Sequence, residues 1–183
     1  MAQPGVRNSA ILLSLIIGFG LAAPGPLGGA DESLEYQVKA AFLLNFIKFT
    51  EWPPSAFTAS DSPISICILG ADPFGEALDQ VIAGENVNGK KVAVERLKRA
   101  PSAKACQVLF ISKSEKNIEK ILPALGPGVL TVGDEEKFIR GGGMISFIIE
   151  NRRVRFDINQ TAAENAALKL SSKLLSVARS VEK

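Results

Sequence analysis

Cys67 and Cys106 are the only thiols in this chain, and no histidine stands anywhere beside them. Without histidine the Ser-His-Asp and Cys-His nucleophile arrangements cannot form, and the commonest general base and zinc ligand are missing. A carboxylate-only metal site would need clustered acids. The densest group, Asp134-Glu135-Glu136, reads as a helix start, where the backbone dipole favours negative charge. No histidine-based catalytic residue, metal ligand or cofactor is therefore expected, and a hydrolase using carboxylates alone is the weakest of the functional readings.

Two glycine-rich stretches invite a test for phosphate binding. "GPGVLTVGD" holds a G-x-G but lacks the third glycine and runs into a strand, and "RGGG" (140–143) also precedes a strand. Neither has the strand-loop-helix context that places phosphate on a helix N-terminus. Both read as turns. In "NRRVRFDIN", alternation sets Arg153, Arg155 and Asp157 on one strand face, with Val154, Phe156 and Ile158 on the other. A solvated face is the simpler reading. An anion contact through Arg153 and Arg155 is the functional one.

The elements that position these residues follow from periodicity. Leu34 to Thr50 reads as a helix with two apolar stripes. Tyr36, Ala40, Leu43, Leu44 and Ile47 form one; Val38, Phe42, Phe46 and Phe49 form the other, with Glu35 and Lys39 at its edge. Two stripes mean cover on both sides, and Trp52-Pro53-Pro54 stops the helix. "ISICILG" (64–70) is a buried strand. Asp72-Pro73 starts a helix to about Ile82. "KKVAVERL", "CQVLFIS" and "GVLTVG" are further strands. Ser114 is positioned to cap "EKNIEKILPAL", and Asp134 a brief helix through Ile139. "MISFIIENRRVRFDIN" is a hairpin turning near Asn151. Thr161-Ala162-Ala163-Glu164 matches a capping box and opens a long C-terminal helix to about Arg179. Buried strands alternating with helices predict an α/β fold: a central, mostly parallel or mixed sheet, helices on both faces, a terminal hairpin and a C-terminal helix.

Residues 1–30 stand apart. Arg7 precedes an apolar run from Ala10 to Ala23, and small residues lead to Ala30. That is the layout of a secretory signal peptide, cleaved after Ala30. The run is shorter than the ~20 apolar residues that span a bilayer. Residues 31–183 then form a single exported domain. Charge is close to balanced, 21 Lys+Arg against 19 Asp+Glu, which gives no reason to expect nucleic acid. In an oxidising compartment Cys67 and Cys106, each at or near the start of a predicted strand, favour a disulfide if the strands are neighbours. Two buried thiols packed as small apolar residues are the alternative.

"YQVKAAFLLNFIKFTEWP" followed by an "ICILG" strand resembles the opening of the YfiR family of exported bacterial proteins. The tail "GGGMISFIIENRRVRFDINQTAAENAALKLSSKLLSVAR" is similar to that family's closing hairpin and helix. The resemblance implies a periplasmic regulator, not an enzyme, that represses an inner-membrane diguanylate cyclase by binding its periplasmic sensory region; release raises cyclic di-GMP and favours biofilm growth. It also implies an outer-membrane-associated lipoprotein as a sequestering partner, and a family disulfide that matches Cys67 and Cys106. A second bridge near the family's hairpin is not carried over, since 141–155 holds no cysteine. Phe42, Phe46, Phe49 and Trp52 form a candidate partner interface, or core; a second copy of the chain is another possible occupant. The rival function is a periplasmic small-molecule binding module acting with a membrane sensor kinase.

Overall fold

The computed structural model describes residues 1–2, 28–100, 105–135 and 137–183. Most of the predicted signal peptide therefore lies outside the described residues. No helix among those described is long and apolar enough to cross a membrane.

Helix α1 (Gly28–Lys48) leads into β1 (Thr50–Glu51), and Pro53-Pro54 follows. Then come β2 (Ile64–Leu69), α2 (Glu76–Ile82), β3 (Asn86–Val87), β4 (Lys90–Leu97), β5 (Val108–Ile111) and α3 (Ile118–Ile121). The rest is β6 (Leu130–Gly133), α4 (Lys137–Arg140), β7 (Ile145–Glu150), β8 (Arg153–Asn159), α5 (Gln160–Asn165), β9 (Lys169–Leu170), α6 (Ser172–Val177) and β10 (Ser180–Glu182). The main sheet has the order β10-β8-β7-β6-β5-β2-β4-β3, and β1 pairs separately with β9.

The sheet is mixed as expected. Strands β4, β2, β5, β6 and β7 run parallel; β8 returns antiparallel to β7, and β10 lies parallel to β8. Side-chain alternation sorts the apolar strands onto two faces. Ile64, Ile66, Ile68, Val108, Phe110 and Val132 face α1 and α2, while Cys67, Leu69, Leu109 and Ile111 meet α3 and α4. On the second face the Cys67–Cys106 disulfide joins β2 to the entrance of β5, with the Cα atoms 5.9 Å apart. The glycines of the two tested loops have a packing reason. A Cβ on Gly133 or Gly143 would fall within 2.3 Å of the Phe138 ring, so both backbones make room for that side chain.

Four local expectations are corrected. The long C-terminal helix is broken into α5, β9, α6 and β10. Ala167 takes a left-handed conformation (φ 58°), and Leu168 N bonds back to Ala163 O at 3.0 Å, a helix-ending turn usually built on glycine. The cap of α5 is Asn159, whose side chain accepts from Ala162 N, rather than Thr161; Ser171 caps α6 in the same way. Ser114 caps no ten-residue helix: its Oγ accepts from Ala71 N, and α3 is a single turn. Helix α2 begins at Glu76, because Asp72 Oδ1 takes the Phe74 and Gly75 N–H groups in a turn.

Candidate functional site

Helix α1 packs on one face of the sheet, and its N-terminal half lies beside the β7–β8 hairpin. Leu34, Val38 and Phe42, spaced one turn apart, form one wall of a groove of about 550 Å³. Ile149, Arg152, Arg153 and Val154 form the other wall, and Glu35 closes the side. Ile149 and Val154 are cross-strand partners, so both present apolar side chains to α1. Leu34, Val38 and Ile149 keep 60%, 39% and 49% of their surface exposed. Large apolar side chains gathered at one concave place on a surface are a binding feature more often than isolated ones are.

The groove is anchored by an aromatic cluster. Phe46 stacks on Phe147 with centroids 5.6 Å apart, and Phe42 meets Phe156 edge-on at 5.3 Å. Such pairs add to the free energy of burial and fix side-chain orientation. Phe42 is thereby held at the groove's inner end.

Beside it lies a polar anchor. Lys39 is 1% exposed and bonds both Glu35 and Asp134, the latter at 2.5 Å. Tyr36 donates its hydroxyl to Asp134 Oδ2 at 2.6 Å. The ammonium also sits 4.5 Å from the Tyr36 ring centroid. Asp134, read from sequence as a helix cap, thus directs both oxygens to α1. Burial, then the bond to Asp134, pushes the Tyr36 hydroxyl far above its ordinary value, so it stays a neutral donor. The cluster ties α1 to the end of β6 and so fixes one groove wall against the sheet.

The candidate residues divide. Phe46 is fully buried in the core, and Phe42 lies in the groove. Phe49 and Trp52 are half-buried against the core at the far end of α1, where Trp52 Nε1 donates to Gln107 O at 3.2 Å. Arg153, at the turn end of β8, lines the groove, whereas Arg155, on the same strand face, is exposed and lies away from it. Asp157, on the same strand face, is taken by Arg179 at 2.6 Å. The sequence pattern singles out neither Leu34 nor Ile149 as a site residue. The i,i+4 spacing of Glu35 and Lys39 was the one available hint of the ionic anchor. A larger, more polar depression of about 790 Å³ opens near Met144 and Asn159, at the opposite end of β7.

A family model described as YfiR/HmsC-like matches residues 36–179. The chain belongs to the YfiR/HmsC-like family. That span takes in the bridged cysteines, both groove walls except Leu34 and Glu35, and the ionic anchor. No curated protein matches. A conserved domain protein from Vibrio cholerae aligns at 14% identity with a TM-score of 0.53, over 78% of this chain and 60% of that one. It supports the α/β architecture of this YfiR/HmsC-like protein. An ABC domain from Streptococcus pneumonia in complex with L-Trp aligns at 11% identity and TM-score 0.45, over 80% of this chain and 60% of that one, too loosely to carry anything across. The chain thus spans 60% of the length of each of these two solved structures.

Proposed function

We propose that this protein is a periplasmic regulator that binds an inner-membrane signalling protein, a diguanylate cyclase, and represses it by direct contact. The match to the YfiR/HmsC-like family over residues 36–179 carries the reading. The Cys67–Cys106 bridge suits an oxidising compartment, and the export signal read in residues 1–30 supplies the route. A repressor requires a surface with different affinity for two states of its target, not a catalytic group. The groove between α1 and the hairpin offers such a surface.

Three measurements test this in the source cell. Periplasmic extract should contain the chain beginning at Asp31, and deleting the gene should raise cyclic di-GMP. Tagged protein should co-purify with an inner-membrane protein that has a cyclase domain. Unchanged cyclic di-GMP on deletion, with no inner-membrane protein retained, overturns the proposal.

A further inference from the structure

We infer that the α1–hairpin groove receives one face of an amphipathic helix from the partner protein, and that this helix carries acidic residues opposite Arg152 and Arg153. The inference rests on the regulatory reading above and gives its contact surface a chemistry.

Charge carries the first step. Arg96 is paired with Asp72 and Asp79, and Arg179 with Asp157 and with Glu150, the cross-strand neighbour of Arg153. Among the described residues Arg152 and Arg153 have no ion-pair or hydrogen-bond partner, and they flank the apolar strip of Ile149 and Val154. Among the described residues Glu35 is the one acid lining the groove, and it is already held by Lys39. The groove's free charge is therefore cationic, and a complementary occupant supplies carboxylates to the arginine edge. Guanidinium groups suit that task, since each accepts a carboxylate in a two-bond fork.

Shape carries the second step. Leu34, Val38 and Phe42 are an i, i+4, i+8 row, a ridge running along two turns of α1. Such a ridge packs between the side-chain rows of another helix. A partner helix of two to three turns would place apolar residues at i, i+3 or i+4 and i+7 against it.

The other occupants fit less well. Two arginines fall short of the clusters of roughly four to eight basic residues that hold anionic bilayers, and a concave groove presents little apolar area to a flat surface. A second copy seated here about a two-fold axis would bring its own Arg152 and Arg153 to the same interface, like charge against like.

The experiment places the photoreactive residue p-benzoyl-phenylalanine at Val38 or Ile149 in full-length exported protein, with Lys98 and Glu119 as exposed control positions. Expected are adducts from positions 38 and 149 to a polypeptide, with the linked peptide showing apolar residues at helical spacing and neighbouring Asp or Glu. Arg152→Glu together with Arg153→Glu should cut their yield by about tenfold or more. Circular dichroism of each variant should match the parent protein, since all six positions are surface-exposed.

Adducts to phospholipid alone, or binding to phosphatidylglycerol vesicles that survives without partner, would point to a membrane surface and overturn the inference. Adducts to a second copy, adducts only from Lys98 or Glu119, no adduct at all, or a yield indifferent to the charge reversal would also overturn it. An inner-membrane signalling protein captured only from the control positions keeps the regulatory reading and removes this one. An acidic helix captured in the groove from a protein that does no signalling does the reverse.

Discussion

Lys39 Nζ and Asp134 Oδ1 stand 2.5 Å apart, joining the buried side of α1 to the turn that leaves β6. The ammonium is almost wholly removed from water, so its charge is tolerable only because Asp134 and Glu35 surround it. Removing Asp134 leaves that charge half-compensated in a site that cannot readily admit solvent. Asp134→Ala is expected to lower unfolding free energy by about 3 kcal/mol, in the range seen when one partner of a buried pair is lost. Lys39→Met should cost less, because it removes the buried cation itself. Urea titrations of both variants and the double variant check this. Equal losses from the two single changes would show that the pair is not the anchor described.

Tyr36 hydrogen-bonds the same carboxylate at 2.6 Å and is the chain's single tyrosine, so its titration can be followed without overlap. Its hydroxyl is held above the ordinary value by burial and then by Asp134. A group with a raised folded pKa contributes stability that is fully present below the unfolded value, about 10 for tyrosine, and lost as pH rises from there towards the folded value. Stability should therefore be insensitive to this group up to about pH 9 and decline above about pH 10. Near-ultraviolet phenolate absorbance should appear only as the protein unfolds. Tyr36→Phe should flatten the alkaline decline; an unchanged slope would assign it to other groups.

The disulfide closes a loop with a sequence separation of 39 residues. In the chain-entropy picture such a link raises stability by roughly 4 kcal/mol. Cys67→Ala with Cys106→Ala is expected to lose about 3–4 kcal/mol, the cysteine sites themselves being small and apolar. The chain's single tryptophan, Trp52, reports the transition through its bond to the carbonyl of Gln107, next to Cys106. A loss below about 1 kcal/mol would mean that the unfolded state is already compact around this loop.

What could be read from the sequence followed from how strongly local pattern and tertiary packing agree. The strands around Ile66 and Leu109 are buried on both faces, so their apolar runs stood out unaided. The end of the chain was misread because its breaks carry no glycine or proline. Ala167 turns the backbone left-handed, and Lys169-Leu170 then leave helical geometry to pair with Thr50-Glu51. That pairing is a long-range contact with no local trace. The phenylalanine stripe failed differently. A helical wheel puts Phe42, Phe46 and Phe49 together, but only tertiary structure sends Phe46 fully into the core, Phe42 to the groove and Phe49 to the half-buried margin of the core. Ile149 looked like one more apolar strand residue, and its exposure depends on where the hairpin outruns the rest of the sheet.

Arg152 gives the remaining prediction. It occupies the second position of the two-residue turn between β7 and β8, with φ 61°, after Asn151 at φ 50°. Turns with both central residues left-handed favour Asn-Gly. Asparagine is the expected first residue; arginine in place of glycine carries a cost of about 1 kcal/mol. Arg152→Gly should therefore stabilise the domain by about that amount and raise its melting temperature by roughly 2–4 °C. If the arginine's value lies in meeting acidic residues across the groove, the same variant should bind the partner more weakly while being more stable. Differential scanning calorimetry and a pull-down on one preparation separate the two effects. A variant that is stabilised and binds as well as the parent would leave the arginine without a role in docking. One that is not stabilised would show the left-handed turn to be supported by contacts of the arginine side chain.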